Sequence, residues 1–251
     1  MRLACPYQLS PTQNLLGNGM QLSARNAAAG GDPYWADVVL LAINDNAADG
    51  STTFVDQSSY GRTQTAAGNA QYDTAQAPSG MTSSGLFDGT GDYVSTPDAT
   101  SLELAANDFT IEAYIRFNTS PSGYRMISSK DDGGNRSWYF SQHDNTLKFG
   151  YYVSGGATEL SASWTPSTGI WYHVAAVRNG TEFYFFIDGT QLGTTLTLSA
   201  TIDDTNANHY LASNFAGSNV FDGWICNYRL TIGTARYTAD FTPPTLPLPT
   251  S

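Results

Sequence analysis

Charge is scarce in this sequence of 251 residues. Charged side chains make up 13% of it, about half the share of an ordinary soluble protein. Lysine is the rarest of them, present only as Lys130 and Lys148. The 11 basic residues stand against 22 acidic ones, for a net charge of −11. Nucleic-acid binding needs clustered Lys and Arg against phosphate, so nucleic acid is excluded as a partner. Long apolar runs are missing as well. No stretch approaches the ~18 residues of a membrane-spanning helix, which argues against membrane insertion. The opening Met1-Arg2-Leu3-Ala4-Cys5-Pro6 is not followed by the apolar core of a signal peptide. The expectation is therefore synthesis in a host cytoplasm with no signal peptide. Cysteine is nearly absent. Cys5 lies in a polar stretch and Cys226 in an apolar one, so no disulfide framework is expected and Cys226 reads as a buried free thiol. Glutamate is short too: Glu103, Glu112, Glu159 and Glu182 stand beside 18 Asp. Glu favours helices and Asp favours turns, so the skew points to strands and loops.

What the sequence does hold is aromatic and hydroxylic. Aromatic residues are 13% and hydrophobic residues 41%, too many for a disordered polyanion. Strand signals recur at short spacing. Val38 to Ile43 is continuously apolar. In Phe109 to Phe117, residues Phe109, Ile111, Ala113, Ile115 and Phe117 share one face, while Thr110, Glu112, Tyr114 and Arg116 share the other. Further strands are expected at 125–129, 138–141, 147–153, 171–178, 183–188, 210–213 and 224–230. Asn179-Gly180 reads as a hairpin turn, and so does Asp88-Gly89-Thr90-Gly91-Asp92 between Leu86-Phe87 and Tyr93-Val94. Short helical turns are expected near Ala99 to Leu102 and Gly233 to Arg236. Many short strands in one domain mean an all-β, two-sheet antiparallel β-sandwich of jelly-roll type. Residues 1–33, rich in Gln, Asn, Ala and Gly, show no period and read as an extended N-terminal arm. Residues 34–242 form the sandwich, and the Pro-rich 243–251 cannot continue a sheet.

Several motifs occur in a recognisable order. They are Leu86-Phe87-Asp88-Gly89-Thr90-Gly91-Asp92-Tyr93-Val94, Phe109-Thr110-Ile111-Glu112, Trp171-Tyr172-His173-Val174-Ala175 and Phe186-Ile187-Asp188-Gly189. Together they resemble the concanavalin A-like, laminin-G type jelly-roll domains. Asp32-Pro33-Tyr34-Trp35 at the start, with Gly223-Trp224-Ile225 and Ala235-Arg236-Tyr237 at the end, is similar to the version found in tailed bacteriophage structural proteins. The resemblance implies a virion surface protein, either a capsid decoration protein or a head fibre. A tail-fibre or tail-tip adhesin that recognises cell-surface carbohydrate is the alternative. On this reading the arm meets other virion proteins of the capsid or tail, and the chain forms a homo-oligomer, with a trimer fitting virion symmetry.

The fold carries lectins and glycanases alike, so the site decides the function. A glycoside hydrolase needs two carboxylates facing one scissile bond, and no acid lies close behind Glu112 on its face. A non-enzymatic binder is the expectation, with hydrolysis as the second alternative. The candidate glycan-binding residues are Glu112, Tyr114, Arg116, Trp138 and Tyr151, because aromatic faces stack on sugars and charged groups fix hydroxyls. Of the adjacent pairs Trp138-Tyr139 and Tyr151-Tyr152, one member each must face outward. The resemblance also implies a calcium site at the sandwich rim, for which Asp45, Asp88, Asp92 and Asp222 are the candidates.

Overall fold

The computed structural model describes residues 31–215 and 217–251. Most of the arm, with Cys5, lies outside the described residues. The first sheet is built from β1 (Val38–Ala42), β3 (Gln71–Asp73), β4 (Ser84–Asp88), β6 (Phe109–Phe117), β11 (Trp171–Asn179), β12 (Glu182–Ile187), β13 (Thr190–Gln191), β14 (Leu196–Thr197) and β16 (Asp222–Ile232). The second is built from β2 (Thr65–Ala67), β5 (Tyr93–Thr96), β7 (Tyr124–Asp131), β8 (Arg136–His143), β9 (Thr146–Val153), β10 (Gly156–Ser163) and β15 (His209–Leu211). Strand order is β13-β12-β11-β6-β16-β4-β3 in the first sheet, with β1 beside β16 and β14 beside β12. It is β10-β9-β8-β7-β15-β5-β2 in the second. Every pairing is antiparallel. The expected two-sheet sandwich is therefore the fold.

The alternation of β6 explains the core. Phe109, Ile111, Ala113, Ile115 and Phe117 all face the space between the sheets, where they meet Trp138, Phe140 and Phe149 of the second sheet. Phe109 and Phe149 span the gap with ring centroids 5.4 Å apart, and Phe140 meets Phe185 at 6.4 Å. Each fully buried side chain of this size contributes about 1.5–3 kcal/mol by leaving water. Asn179-Gly180 makes the expected hairpin between β11 and β12, with Asn179 opposite Glu182 and Gly180 at a φ of 60°.

The structure corrects two local expectations. Asp88 to Asp92 is not a hairpin: β4 pairs with β16 and β3, while β5 pairs with β15 and β2. The loop crosses from one sheet to the other, so its Asp-Gly turn bends the chain without pairing its neighbours. A short helical turn forms at Thr100–Leu102 as expected, but Gly233 to Arg236 is irregular and the other turn is Trp35–Asp37. Cys226 is a buried free thiol whose burial pushes its pKa up to about 12.

Beyond β16 the chain folds back over the outer face of the first sheet. Tyr237 and Phe241 stack at 3.6 Å and cover Ala175, Val177, Tyr184 and Phe186. Leu248 closes over Val38 and Leu41, with its N–H donating to Asn44 Oδ1 at 2.8 Å. The two ends of the described domain meet, since Asp32 N–H donates to Ser251 O at 2.6 Å.

His209 on β15 is wholly buried, and its Nε2 lies 2.9 Å from Tyr228 Oη. Burial, helped by the positive charges of Lys130 and Arg62, pushes its pKa down to about 3. The unfolded chain takes up this proton near pH 6.5 and the folded protein does not. The stability held in the neutral imidazole is complete above that pH and lost as pH falls toward 3. Urea melts from pH 7.5 to 4.5 should show the wild type losing about 2–3 kcal/mol relative to His209→Gln. Parallel losses in both proteins would refute the assignment.

Candidate functional site

The outer face of the second sheet holds a groove of about 360 Å³. Its floor follows from strand register. Tyr139 on β8 stands opposite Gly150 on β9, which stands opposite Glu159 on β10. Gly150 has no side chain, so the Tyr139 ring lies flat across it. A Cβ at this glycine would fall 2.1 Å from Tyr139 Cζ. The Tyr139 hydroxyl thereby reaches Glu159 Oε1 and donates to it. Tyr124 donates to the same oxygen at 2.5 Å, and Lys148 Nζ sits 2.7 Å from Glu159 Oε2. Tyr124 is held edge-on to Tyr139 at 5.8 Å and stacks on His143 at 4.0 Å. Burial would raise the Glu159 carboxyl, but Lys148 and the two tyrosine hydroxyls bring it down to about 2.

The other end of the groove is polar. Arg136 extends from the start of β8, with 42% of its side chain exposed. Its Nη1 donates to Tyr152 Oη at 3.2 Å, and its Nε lies 3.6 Å from Asp131 Oδ1. Burial raises the Asp131 carboxyl, while the Gly133 N–H and Arg136 offset this only in part. Asn214, Phe215 and Asn219 form the facing wall. The Phe215 N–H donates to Asp131 O at 2.8 Å, and the Met126 N–H to Asn219 O at 3.0 Å, so this wall is fixed to β7. An aromatic floor with a few convergent polar groups at its ends is the usual form of a small-ligand site.

The five expected glycan residues are not brought together here. Trp138 and Tyr151 point inward and pack in the main core. Their neighbours Tyr139 and Tyr152 take the outward positions. The inward period is set by Phe140, Leu147 and Phe149, so Trp138 and Tyr151 share their parity. Glu112, Tyr114 and Arg116 do lie on the outside of the first sheet, but that face is covered. Glu112 is 1% exposed, and its carboxylate is taken up by Arg229, His173 and Tyr237. Tyr114 Oη donates to Pro244 O at 2.7 Å. Arg116 packs 4.7 Å over the Trp224 ring. Nothing in the local alternation of β6 shows that a distant C-terminal segment will cover it.

Of the four rim acids, Asp88 stands opposite Asp222 and beside Asp92, but their oxygens are taken up by neighbouring donors. Asp45 Oδ1 accepts from Tyr72 Oη at 2.5 Å. Asp92 is buried and accepts from the N–H groups of Asn69 and Asp88 at 2.7 and 2.9 Å. Asp88 accepts from Thr90 N–H and Asn69 Nδ2, and Asp222 from Asn118 and Thr119. These carboxylates organise turns. Among the described residues no three His, Cys, Asp or Glu side chains converge into a metal-ligand set.

A two-sheet jelly roll with a concave, tyrosine-floored outer face defines a lectin-type sandwich. Residues 88–232 match the family described as the Concanavalin A-like lectin/glucanases superfamily, in its laminin G form, and the chain belongs to it. No curated protein matches the chain in sequence. Among solved structures, the binding domain of Paraclostridial Mosquitocidal Protein 1 aligns with a TM-score of 0.59 at 15% identity, over 83% of this chain and 50% of that one. The botulinum neurotoxin serotype D binding domain gives 0.61 at 13% identity, over 81% of this chain and 50% of that one. The serotype D ligand binding domain in complex with N-acetylneuraminic acid gives 0.60 at 13%, over 81% and 49%. The chain spans about half the length of each, and at such identity the shared property is the fold.

Proposed function

We propose that this chain is a non-catalytic carbohydrate-binding module that holds a glycan in the groove floored by Tyr139 and Tyr152. One observation carries the reading: the Tyr139 ring is laid over Gly150 with its hydroxyl tied to Glu159. A flat aromatic face fixed at low entropy cost suits the CH face of a sugar ring, and Arg136 and Asn219 at the rim suit its hydroxyls. Family membership supports a sugar ligand, since the family is described by its lectins and glucanases. Of the two acids of the groove, Glu159 supports binding over hydrolysis. Glu159, at about 2, is far too acidic for a general acid, which needs a pKa near the working pH. A glycan array probed with the folded chain should give a saturable signal on one group of related glycans. Uniform silence would overturn the reading.

This module belongs, in our reading, on the surface of a bacteriophage particle, on the capsid or at the tail. Two features support the placement: the order of the motifs from Asp32-Pro33-Tyr34-Trp35 to Ala235-Arg236-Tyr237, and the nearly uncharged segment before Asp32. A chain lacking residues 1–30, which keeps Asp32 and its ion pairs, should fail to join particles, and undiminished incorporation would sink this placement.

A further inference from the structure

The C-terminal cover on the outer face of the first sheet reaches Tyr114, whose Oη donates to Pro244 O. One outward position further along, the strands form a row that the described residues leave open. Register sets it. Trp171 of β11 stands opposite Arg116 of β6, and Arg116 opposite Trp224 of β16. Trp224 in turn stands opposite Leu86 of β4, and Leu86 opposite Gln71 of β3. All five are half-exposed. Trp171 and Trp224 belong to none of the apolar clusters of the described residues, and Ile170 beside them is 51% exposed. Two tryptophans outside any core, with Ile170 and Leu86, make an apolar patch of the kind that marks a protein–protein contact.

The cation in this row is fixed but unpaired. Trp224 Nε1–H donates to Asp73 Oδ2 at 2.6 Å, and the Arg116 guanidinium lies 4.7 Å over the Trp224 ring. Gly169 leaves it room, since a Cβ there would stand 3.4 Å from Arg116 Nη2. Each of the other described arginines donates from its side chain to a protein oxygen. Arg116 has no such acceptor among the described residues. Its five N–H groups, held on an aromatic face, are free to meet oxygens from outside.

The next outward row carries the opposite charge. Asn118 Nδ2 donates to Asp222 Oδ1 at 3.1 Å, Asp222 stands opposite Asp88, and Asn69 Nδ2 donates to Asp88 Oδ2 at 3.0 Å. A cationic, aromatic row thus lies two residues, about 7 Å, from an acidic row on one open face. A two-fold axis across the strands, between the rows, sets each row of one copy on the other row of a second copy. Such a self-complementary surface is what an isologous pair requires. We propose that this end of the first sheet is the contact between two copies of this chain, with Arg116 of each copy set against the Asn118–Asp222 pair of the other. The Tyr139 groove lies on the outer face of the second sheet and stays open in the pair, so the inference goes beyond the glycan reading and does not rest on it. The two rows and Ile170 supply about ten residues per copy, fewer than the 20–30 of a standard interface. The pair is accordingly weak, with a Kd of about 100 μM.

The test is sedimentation velocity on the full chain from about 5 to about 500 μM, repeated for Arg116→Glu and Trp171→Ala. The wild type should pass from monomer to dimer across the series. Each variant should raise Kd at least tenfold, as removal of a central Trp or Arg anchor does. Both should still show a cooperative melt, because Arg116 and Trp171 lie outside the apolar clusters. A wild type that stays monomeric at the highest concentration would overturn the proposal. So would dimerisation that persists unchanged in either variant, which would put the contact on another face. Unchanged association in Trp171→Ala with loss of its glycan-array signal would give the face to a sugar and overturn it too.

Discussion

Glu112→Gln should lower the stability of the folded chain by about 3–5 kcal/mol, the usual result of removing one partner from a buried ion pair. The reason lies in what surrounds the carboxylate. Arg229 Nη2 and Nε approach Glu112 Oε1 at 2.7 and 2.8 Å, His173 Nε2 lies 3.0 Å from Oε2, and Tyr237 Oη donates to Oε2 at 2.9 Å. Against its burial, which alone would raise it, Arg229 and His173 hold the Glu112 carboxyl well below the usual range. A neutral amide leaves Arg229, 3% exposed, with Asp32 as its remaining carboxylate partner. For a chain of this size each kcal/mol moves Tm by about 2–4 °C, so a drop near 10 °C is expected in a melt. The pair is buried and little screened, so adding 0.5 M NaCl should not abolish the difference. The depressed carboxylate contributes its stability above the unfolded pKa and loses it only in stronger acid. The deficit of the variant should therefore be constant from neutral pH down to about 5. A variant that melts within 2 °C of the wild type would show that the network is dispensable.

Gly150→Ala should remove glycan binding while leaving the sandwich folded. Gly150 has ordinary strand geometry, and alanine is no worse than glycine in a strand interior. The nearest obstacle is Tyr139, whose ring occupies the space of the new methyl. The ring must lift, its hydroxyl leaves Glu159, and the groove loses its floor. Overpacking of this kind costs about 1–3 kcal/mol of stability. Loss of a central aromatic anchor costs binding about 2 kcal/mol or more, a reduction of roughly thirtyfold. Tyr152→Ala should also weaken binding, and because it empties the space of a buried ring packed on Met126 and Tyr139 it should cost about 3–5 kcal/mol of stability as well. Titration with the best array ligand would separate the two. Unchanged affinity in Gly150→Ala would exclude the Tyr139 platform as the site.

Much of this sandwich was legible in the sequence because strand alternation is a local property. β6 announced its buried face in nine residues, and Asn179-Gly180 marked its hairpin. The loop from Asp88 to Asp92 misled, because an Asp-Gly turn looks alike whether the flanking strands pair or part. β10 was missed because it is a polar edge strand, with only Leu160 and Ala162 as inward signals. The orientation of the candidate aromatics was misread for a related reason. In Trp138-Tyr139 and Tyr151-Tyr152 the strands were placed correctly, but Trp138 and Tyr151 face inward and their neighbours outward. Parity is fixed by which neighbours reach the other sheet, a non-local matter. The one overlooked clue was Gly150, a glycine inside an apolar strand, which signals close approach by another group. The cover over Glu112 was not readable from β6 at all, since it comes from residues more than a hundred positions away.

Asp32, just ahead of the sandwich, is heavily held. Its carboxylate takes Arg229 Nη1 at 2.8 Å and Arg236 Nη1 and Nη2 at 2.9 and 2.8 Å, and its N–H holds Ser251 O. A pull on the chain ahead of Asp32 is thus passed to Arg229, which sits in the central strand β16, and not to an edge strand. Load spread into the middle of a sheet is resisted by many ladder bonds at once. The same salt-bridge cluster that stabilises the resting fold therefore ties the start of the sandwich to the middle of its first sheet, on the face opposite the groove.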